Sequence, residues 1–260
     1  MLKKMIWYSL LLISIIMTLI FISGFASSLS ITTASKKAVE VSPKPTKVVE
    51  LDPNYYNILV LGDSLAKGTG DEKGKGFAGY FSDSWKSKSS KEIKLTNIAV
   101  NGDVSNGLLK IVKTAETTSY IKSSNIIFIS IGGNEITKFK STDITLATSE
   151  VKDVQANYLS NLKQIEKSIR ATNSSCMIIF IGLYNPFGKE ITADKINFLN
   201  DWNYQSEQLI STDSNSIFIP TYDLFKYNLD NYLTIDNFHP NSAGYQAIAS
   251  RVLDSLKNYK

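Results

Sequence analysis

The feature that most constrains this chain is the run Asn57-Ile58-Leu59-Val60-Leu61, ended at once by Gly62-Asp63-Ser64. Four consecutive apolar residues without a charge cannot form a strand with one wet face. They read as a strand buried on both sides, the hallmark of a parallel sheet covered by helices. A serine at the carboxyl end of such a strand stands where open α/β sheets place their active sites. Ser and Asp are also favoured helix N-caps, so this stretch alone leaves both readings open.

The same design recurs along the chain. Ile93 to Val100 reads as a second strand, closed by Asn101-Gly102. Asn125 to Ile131 is a third, closed by Gly132-Gly133-Asn134, and Cys176 to Ile181 a fourth, closed by Gly182. Ser216 to Ile219 is a short fifth. Between them, apolar spacing predicts helices over 77–87, 104–120, 151–171, 194–211 and 241–256. Strands alternating with helices predict a doubly wound parallel sheet with right-handed crossovers. Lys138 to Glu150, polar and rich in threonine, is expected to cap the site. The glycine- and lysine-rich stretch Gly68 to Gly76 fails the phosphate-loop pattern and is expected to be a mobile loop at the mouth of the site.

The chain has 260 residues and 43% hydrophobic content, ordinary for a domain with a full core plus an N-terminal extension. A net charge of +4 with scattered lysines carries no nucleic-acid footprint. Cys176 is the only cysteine and lies in an apolar strand, so it reads as a core residue. With a single histidine as well, neither a cysteine-based nor a multi-histidine metal centre can be built. Lys3 and Lys4 precede an uncharged apolar stretch from Met5 to Ala26, which reads as an export segment. Its length approaches the ~20 residues that span a bilayer. An uncleaved anchor is therefore favoured over a signal peptide cut after Gly24 and Ala26. Positive charge stays inside, so the remainder is expected outside the cell, on the membrane or, if cleaved, secreted. Residues 27–52, rich in Ser, Thr, Lys and Pro, read as a flexible linker, and 53–260 as the folded domain.

The chain's only histidine, His239, lies in Asp236-Asn237-Phe238-His239-Pro240. Acyl transfer needs a nucleophile, a base, a group orienting the base and donors for the oxyanion. Ser64, His239 and Asp236 supply the first three. The backbone amides of Ser64 and Gly102 and the side-chain amide of Asn134 are candidates for the fourth. Tyr184 and Phe187, on an aromatic loop after the fourth strand, are candidate substrate contacts. Gly62-Asp63-Ser64-Leu65, Asn101-Gly102, Gly132-Gly133-Asn134-Glu135 and Asp236-x-x-His239, in that order, resemble the blocks of the GDSL/SGNH hydrolases. The run from Gly62 to Asp71 is similar to the bacterial branch called lysophospholipase L1-like. The resemblance implies a flavodoxin-like three-layer α/β/α sandwich with about five strands, and a serine ester hydrolase needing no metal or organic cofactor. It implies the triad and oxyanion roles just named. It also implies a substrate among carboxyl esters, thioesters, lysophospholipids and acylated cell-wall sugars. An acyltransferase and a non-catalytic binding protein are the alternatives, and the oligomeric state is left open. One departure stands out: the third block usually reads Gly-x-Asn-Asp, and here Glu135 replaces the final acid.

Overall fold

The computed structural model describes residues 7, 8, 10–23, 54–188 and 191–257. The expected linker lies outside the described residues. Residues 10–23 are helical, and the chain divides into a unit at Met1–Thr46 and a unit at Lys47–Lys260. Among the described residues, no helix is long and apolar enough to cross a membrane.

The second unit is built on five parallel strands. These are β1 (Tyr55–Gly62), β2 (Glu92–Asn97), β3 (Ile126–Ser130), β4 (Met177–Ile181) and β5 (Ser216–Ile219), in the order β2-β1-β3-β4-β5. Alternation along the strands sends side chains to two separate cores. Leu59, Leu61, Ile127, Ile129, Ile178 and Phe180 face one; Ile58, Val60, Ile126, Phe128, Ile179 and Ile181 face the other. The first core is closed by α3 (Ser105–Val112), α4 (Ala115–Ser123), α5 (Gly133–Thr137), α6 (Thr148–Thr172) and α7 (Ala193–Ile210). The second is closed by α2 (Gly76–Trp85), α8 (Tyr222–Lys226) and α10 (Ser242–Ser255). Two short helices complete the set, α1 (Ser64–Lys67) and α9 (Leu229–Tyr232). Every strand of the central trio is buried on both faces, which is why the sequence there is apolar without alternation. Cys176 is buried in the first core, as its apolar setting predicts.

Gly62 makes the first strand end where it does. Its φ is +130°, and a Cβ there would stand 1.8 Å from the Ser130 carbonyl oxygen. Only glycine lets β1 cross so close to the end of β3, and the Asp63 amide then donates to that carbonyl at 3.0 Å. Two expectations about elements are corrected. The helix expected over 104–120 is two helices, because Thr114 takes an extended conformation and its side chain caps α4 through the Thr117 amide. The loop expected to be mobile is pinned. Asp71 accepts hydrogen bonds from the amides of Lys73, Lys75 and Gly76 and from the hydroxyls of Tyr80 and Ser242.

Candidate active site

The strand order places a crevice at the carboxyl ends of the central strands, where the chain leaves β1 for one side of the sheet and β3 for the other. Ser64 follows β1, Gly102 follows β2, and Asn134 follows β3. The N-cap reading of Asp63-Ser64 falls on the aspartate. Asp63 is the N-cap of α1, its Oδ1 accepting the Leu65 amide at 3.0 Å, and Ser64 is the first residue of that helix. The helix start holds the Ser64 side chain at the crevice.

His239 reaches this point from the turn before α10. Its Nε2 lies 2.9 Å from Ser64 Oγ, and its Nδ1 lies 2.7 Å from Asp236 Oδ2. The turn that makes this possible is closed by Thr234. The Thr234 amide donates to the His239 carbonyl at 2.8 Å, and its hydroxyl donates to Asp236 Oδ1 at 2.7 Å. Asn237 adopts a φ of +54°, a left-handed conformation that asparagine tolerates better than most residues. Asp236 Oδ1 also accepts the amides of Phe238 and His239. Burial pushes the Asp236 pKa up, but donors from Thr234, His239 and Phe238 outweigh it and leave the carboxyl well below its ordinary range. An ionised Asp236 accepts the Nδ1 proton, which leaves Nε2 free to take a proton from the serine.

The three candidate oxyanion donors each follow a strand end. The amides of Ser64 and Gly102 make no hydrogen bond within the fold among the described residues, and Gly102 has a φ of +76°. The Asn134 amide nitrogen donates to the Asp103 carbonyl at 2.7 Å, using one of its two protons. Asn134 and Ser64 line a small cavity walled by Leu65, Leu183, Tyr184 and Phe238. Its water-sized space is about 20 Å³, room for one water.

Tyr184 is at this cavity. It stacks on Phe225 at 4.4 Å, and its hydroxyl donates to the Phe238 carbonyl, steadying the turn that carries His239. The expectation for Phe187 is corrected: it is buried in the first core and does not line the cavity. Asn185 accepts the Phe187 amide and donates to the Gly188 carbonyl, a tight turn that tucks the ring inward. Nor does any residue of 138–150 line the cavity; Phe139 from that stretch is spent on the core. Sequence reasoning missed Thr234, whose only signal is its place two residues before Asp236. Nor did it foresee the raised pKa of Asp63, which burial and then the nearby Glu135 push up to about 7.

No group of His, Cys, Asp or Glu among the described residues is arranged to hold a metal ion.

The GDSL-like Lipase/Acylhydrolase family matches residues 58–252. The uncharacterized protein YpmR of Bacillus subtilis is 31% identical over 236 residues, covering 88% of this chain and 89% of that protein. The spore germination lipase LipC of Bacillus licheniformis is 27% identical over 198 residues, 74% of this chain and 92% of the other. Among solved structures, a lipase from a goat rumen metagenome superposes with a TM-score of 0.69 at 22% identity, over 77% of this chain and 97% of its own. An acetylxylan esterase of Geobacillus stearothermophilus superposes at 0.60 with 18% identity, over 78% of this chain and 94% of its own. The chain is therefore similar in fold to lipases and esterases alike, and by sequence it belongs to the GDSL family of lipases and acylhydrolases, as an ester-hydrolysing serine hydrolase.

Proposed function

We propose that Ser64 is the nucleophile, that His239 is its general base and acid, and that Asp236 orients the imidazole. The observation that carries this reading is the continuous hydrogen-bonded line from Ser64 Oγ through His239 to Asp236 Oδ2. Ser64 Oγ attacks the ester carbonyl as its proton passes to Nε2. The carbonyl oxygen, now negative, is met by the amides of Ser64 and Gly102 and the free proton of the Asn134 amide. Collapse of the tetrahedral species returns the proton from Nε2 to the departing alkoxide, leaving an acyl-Ser64. Water, activated by the same nitrogen, then releases the acid.

The substrate reading is an ester of a short acyl group. Space for one water beside Ser64 takes an acetyl methyl without rearrangement, whereas a long chain finds no enclosed channel there. A small acyl pocket leaves the size of the leaving group unrestricted, which suits an acylated cell-wall sugar. The reading places the enzyme outside the cell, held to the membrane by its N-terminal segment. Two features support that: Lys3-Lys4 before an apolar run, and a helix at 10–23 with Leu10, Ile13, Leu19 and Phe21 among its exposed side chains.

The test uses the full-length chain in detergent with a fluorophosphonate probe and p-nitrophenyl esters of two, four and ten carbons. Labelling and turnover should both vanish in Ser64→Ala, and turnover should fall at least about 10³-fold in His239→Ala. Acetate should be preferred over decanoate by at least about tenfold in kcat/KM. Turnover that survives Ser64→Ala sinks the nucleophile assignment, and a preference for decanoate sinks the short-acyl reading. Labelling of Ser64 without ester turnover in water would redirect the reading to transfer onto a sugar acceptor.

A further inference from the structure

Glu135 stands where a buried acid is costly. It is 5% exposed, and its Oε2 has no hydrogen-bond partner among the described residues. Among the described residues no lysine or arginine pairs with it, and its charge interacts with Asp63 and Tyr158. A buried carboxylate with an orphan oxygen is destabilising unless its other contacts matter. Its one contact is informative: Oε1 accepts the backbone amide of Ser105 at 2.5 Å. Ser105 is the first residue of α3, so Glu135 supplies from α5 the acceptor that Val104, the N-cap, lacks.

The residue before it completes a pattern. Asn134 donates to the carbonyl of Asp103 at 2.7 Å. Two adjacent residues on α5 therefore grip residues 103 and 105, one at a carbonyl and one at an amide. The segment they grip begins at Gly102. We propose that Glu135 is a positioning residue for the oxyanion site, holding the Gly102 amide and the Asn134 amide in one rigid frame. The extra methylene of Glu over Asp is what spans the gap: a shorter acid on the same backbone would end about 1.5 Å short of the Ser105 amide.

This inference rests on the Ser64 reading and refines it. Its test takes Glu135→Ala, Glu135→Asp and Glu135→Gln in the full-length chain. Glu135→Gln keeps an acceptor for Ser105 and should stay within about threefold of wild type. Glu135→Ala should lose about 10²-fold in kcat with KM within about threefold, the cost typical of one lost oxyanion donor. Glu135→Asp should lose about tenfold. A trifluoromethyl ketone, which forms a tetrahedral adduct on the serine, should weaken by the same factors as kcat/KM. A role confined to capping α3 would lower the melting temperature and leave that parallel absent. Folded Glu135→Ala with wild-type kcat overturns the proposal. So does Glu135→Gln falling as far as Glu135→Ala. Should Glu135→Ala fail to fold, Glu135→Asp decides: wild-type kcat and ketone affinity overturn the proposal. Failure of the underlying reading looks different, since Ser64→Ala would then keep its turnover whatever happens at Glu135.

Discussion

Asp63 sits one residue before the proposed nucleophile, 4% exposed, with Glu135 close enough to repel its charged form. Burial and then the Coulomb repulsion of Glu135 raise its pKa from 3.8 to about 7. Below pH 3.8 it is protonated in the folded and unfolded chain alike. Between 3.8 and about 7 the unfolded chain gives up the proton while the fold keeps it, so stability falls as pH rises, and the loss is complete above 7. A shift of this size corresponds to about 4 kcal/mol. Asp63→Asn keeps the acceptor for Leu65 and removes the titration. It should gain ~2–4 kcal/mol over wild type at pH 8 and almost nothing at pH 4, as read from urea melts at both values. A gain equal at the two pH values would refute the account. Asp236, lowered rather than raised, acts in the other window: its contribution is present above its ordinary pKa and is lost as pH drops below it. At this scale the sequence was partly legible. The approach of Asp236 to His239 was legible, since a carboxylate three residues before the chain's only histidine can face it across a tight turn. The proton on Asp63 could not, because it depends on how completely α5 and α6 cover the residue. Phe187 failed for the same reason: an aromatic on a loop carries no mark of which way its turn will face.

Among the elements, the segment from Gly68 to Gly76 does more than its composition suggests. Gly70 approaches the histidine turn so closely that a Cβ would lie 2.7 Å from the Pro240 carbonyl and 3.0 Å from His239 Cβ. Thr69 donates its hydroxyl to Asn101 at 2.8 Å, and its carbonyl accepts the Tyr245 hydroxyl. The segment thus touches His239 on one side and the residue before Gly102 on the other. Asp71 holds it in place through five donors, and Glu72 adds the Ser242 amide and hydroxyl at the start of α10. Glycine and lysine content signals a loop; a single carboxylate gathering five donors is invisible until the chain is folded. Asp71→Ala should cost ~2–4 kcal/mol, because several amides lose their acceptor at once. It should also lower kcat by about tenfold or more, by letting the histidine turn drift. Urea denaturation and steady-state kinetics read the two effects. A variant with wild-type kcat and reduced stability would confine the segment to a structural role. Elements with a strong apolar period were the most legible: β5 falls where its sequence placed it, and α6, α7 and α10 do so to within a few residues. The short helices α1, α5, α8 and α9 carry too few residues to show a period.

Across the whole molecule, the strand order explains why residues distant in sequence converge. Parallel strands all end at one edge, so Ser64, Gly102, Asn134 and Tyr184 follow successive strands at that edge, and only His239 must be carried back by the last turn before α10. That logic is complete within Lys47–Lys260, whose described residues form both cores. The N-terminal unit obeys a different rule. Its helix at 10–23 exposes large apolar side chains such as Leu12, Ile16, Ile20 and Ile22, a surface that water disfavours at roughly 25 cal/mol per Å². The two units should therefore separate by function. A chain starting at Lys47 should keep the ester turnover and urea midpoint of the full-length protein, the midpoint agreeing within about 0.3 M. Full-length protein should float with phospholipid vesicles in a density gradient, and the shortened chain should stay at the bottom. Flotation of the shortened chain would move the membrane contact onto the hydrolase domain. Failure of the full-length protein to float would remove the basis for an anchor and leave the apolar segment to be explained by export alone.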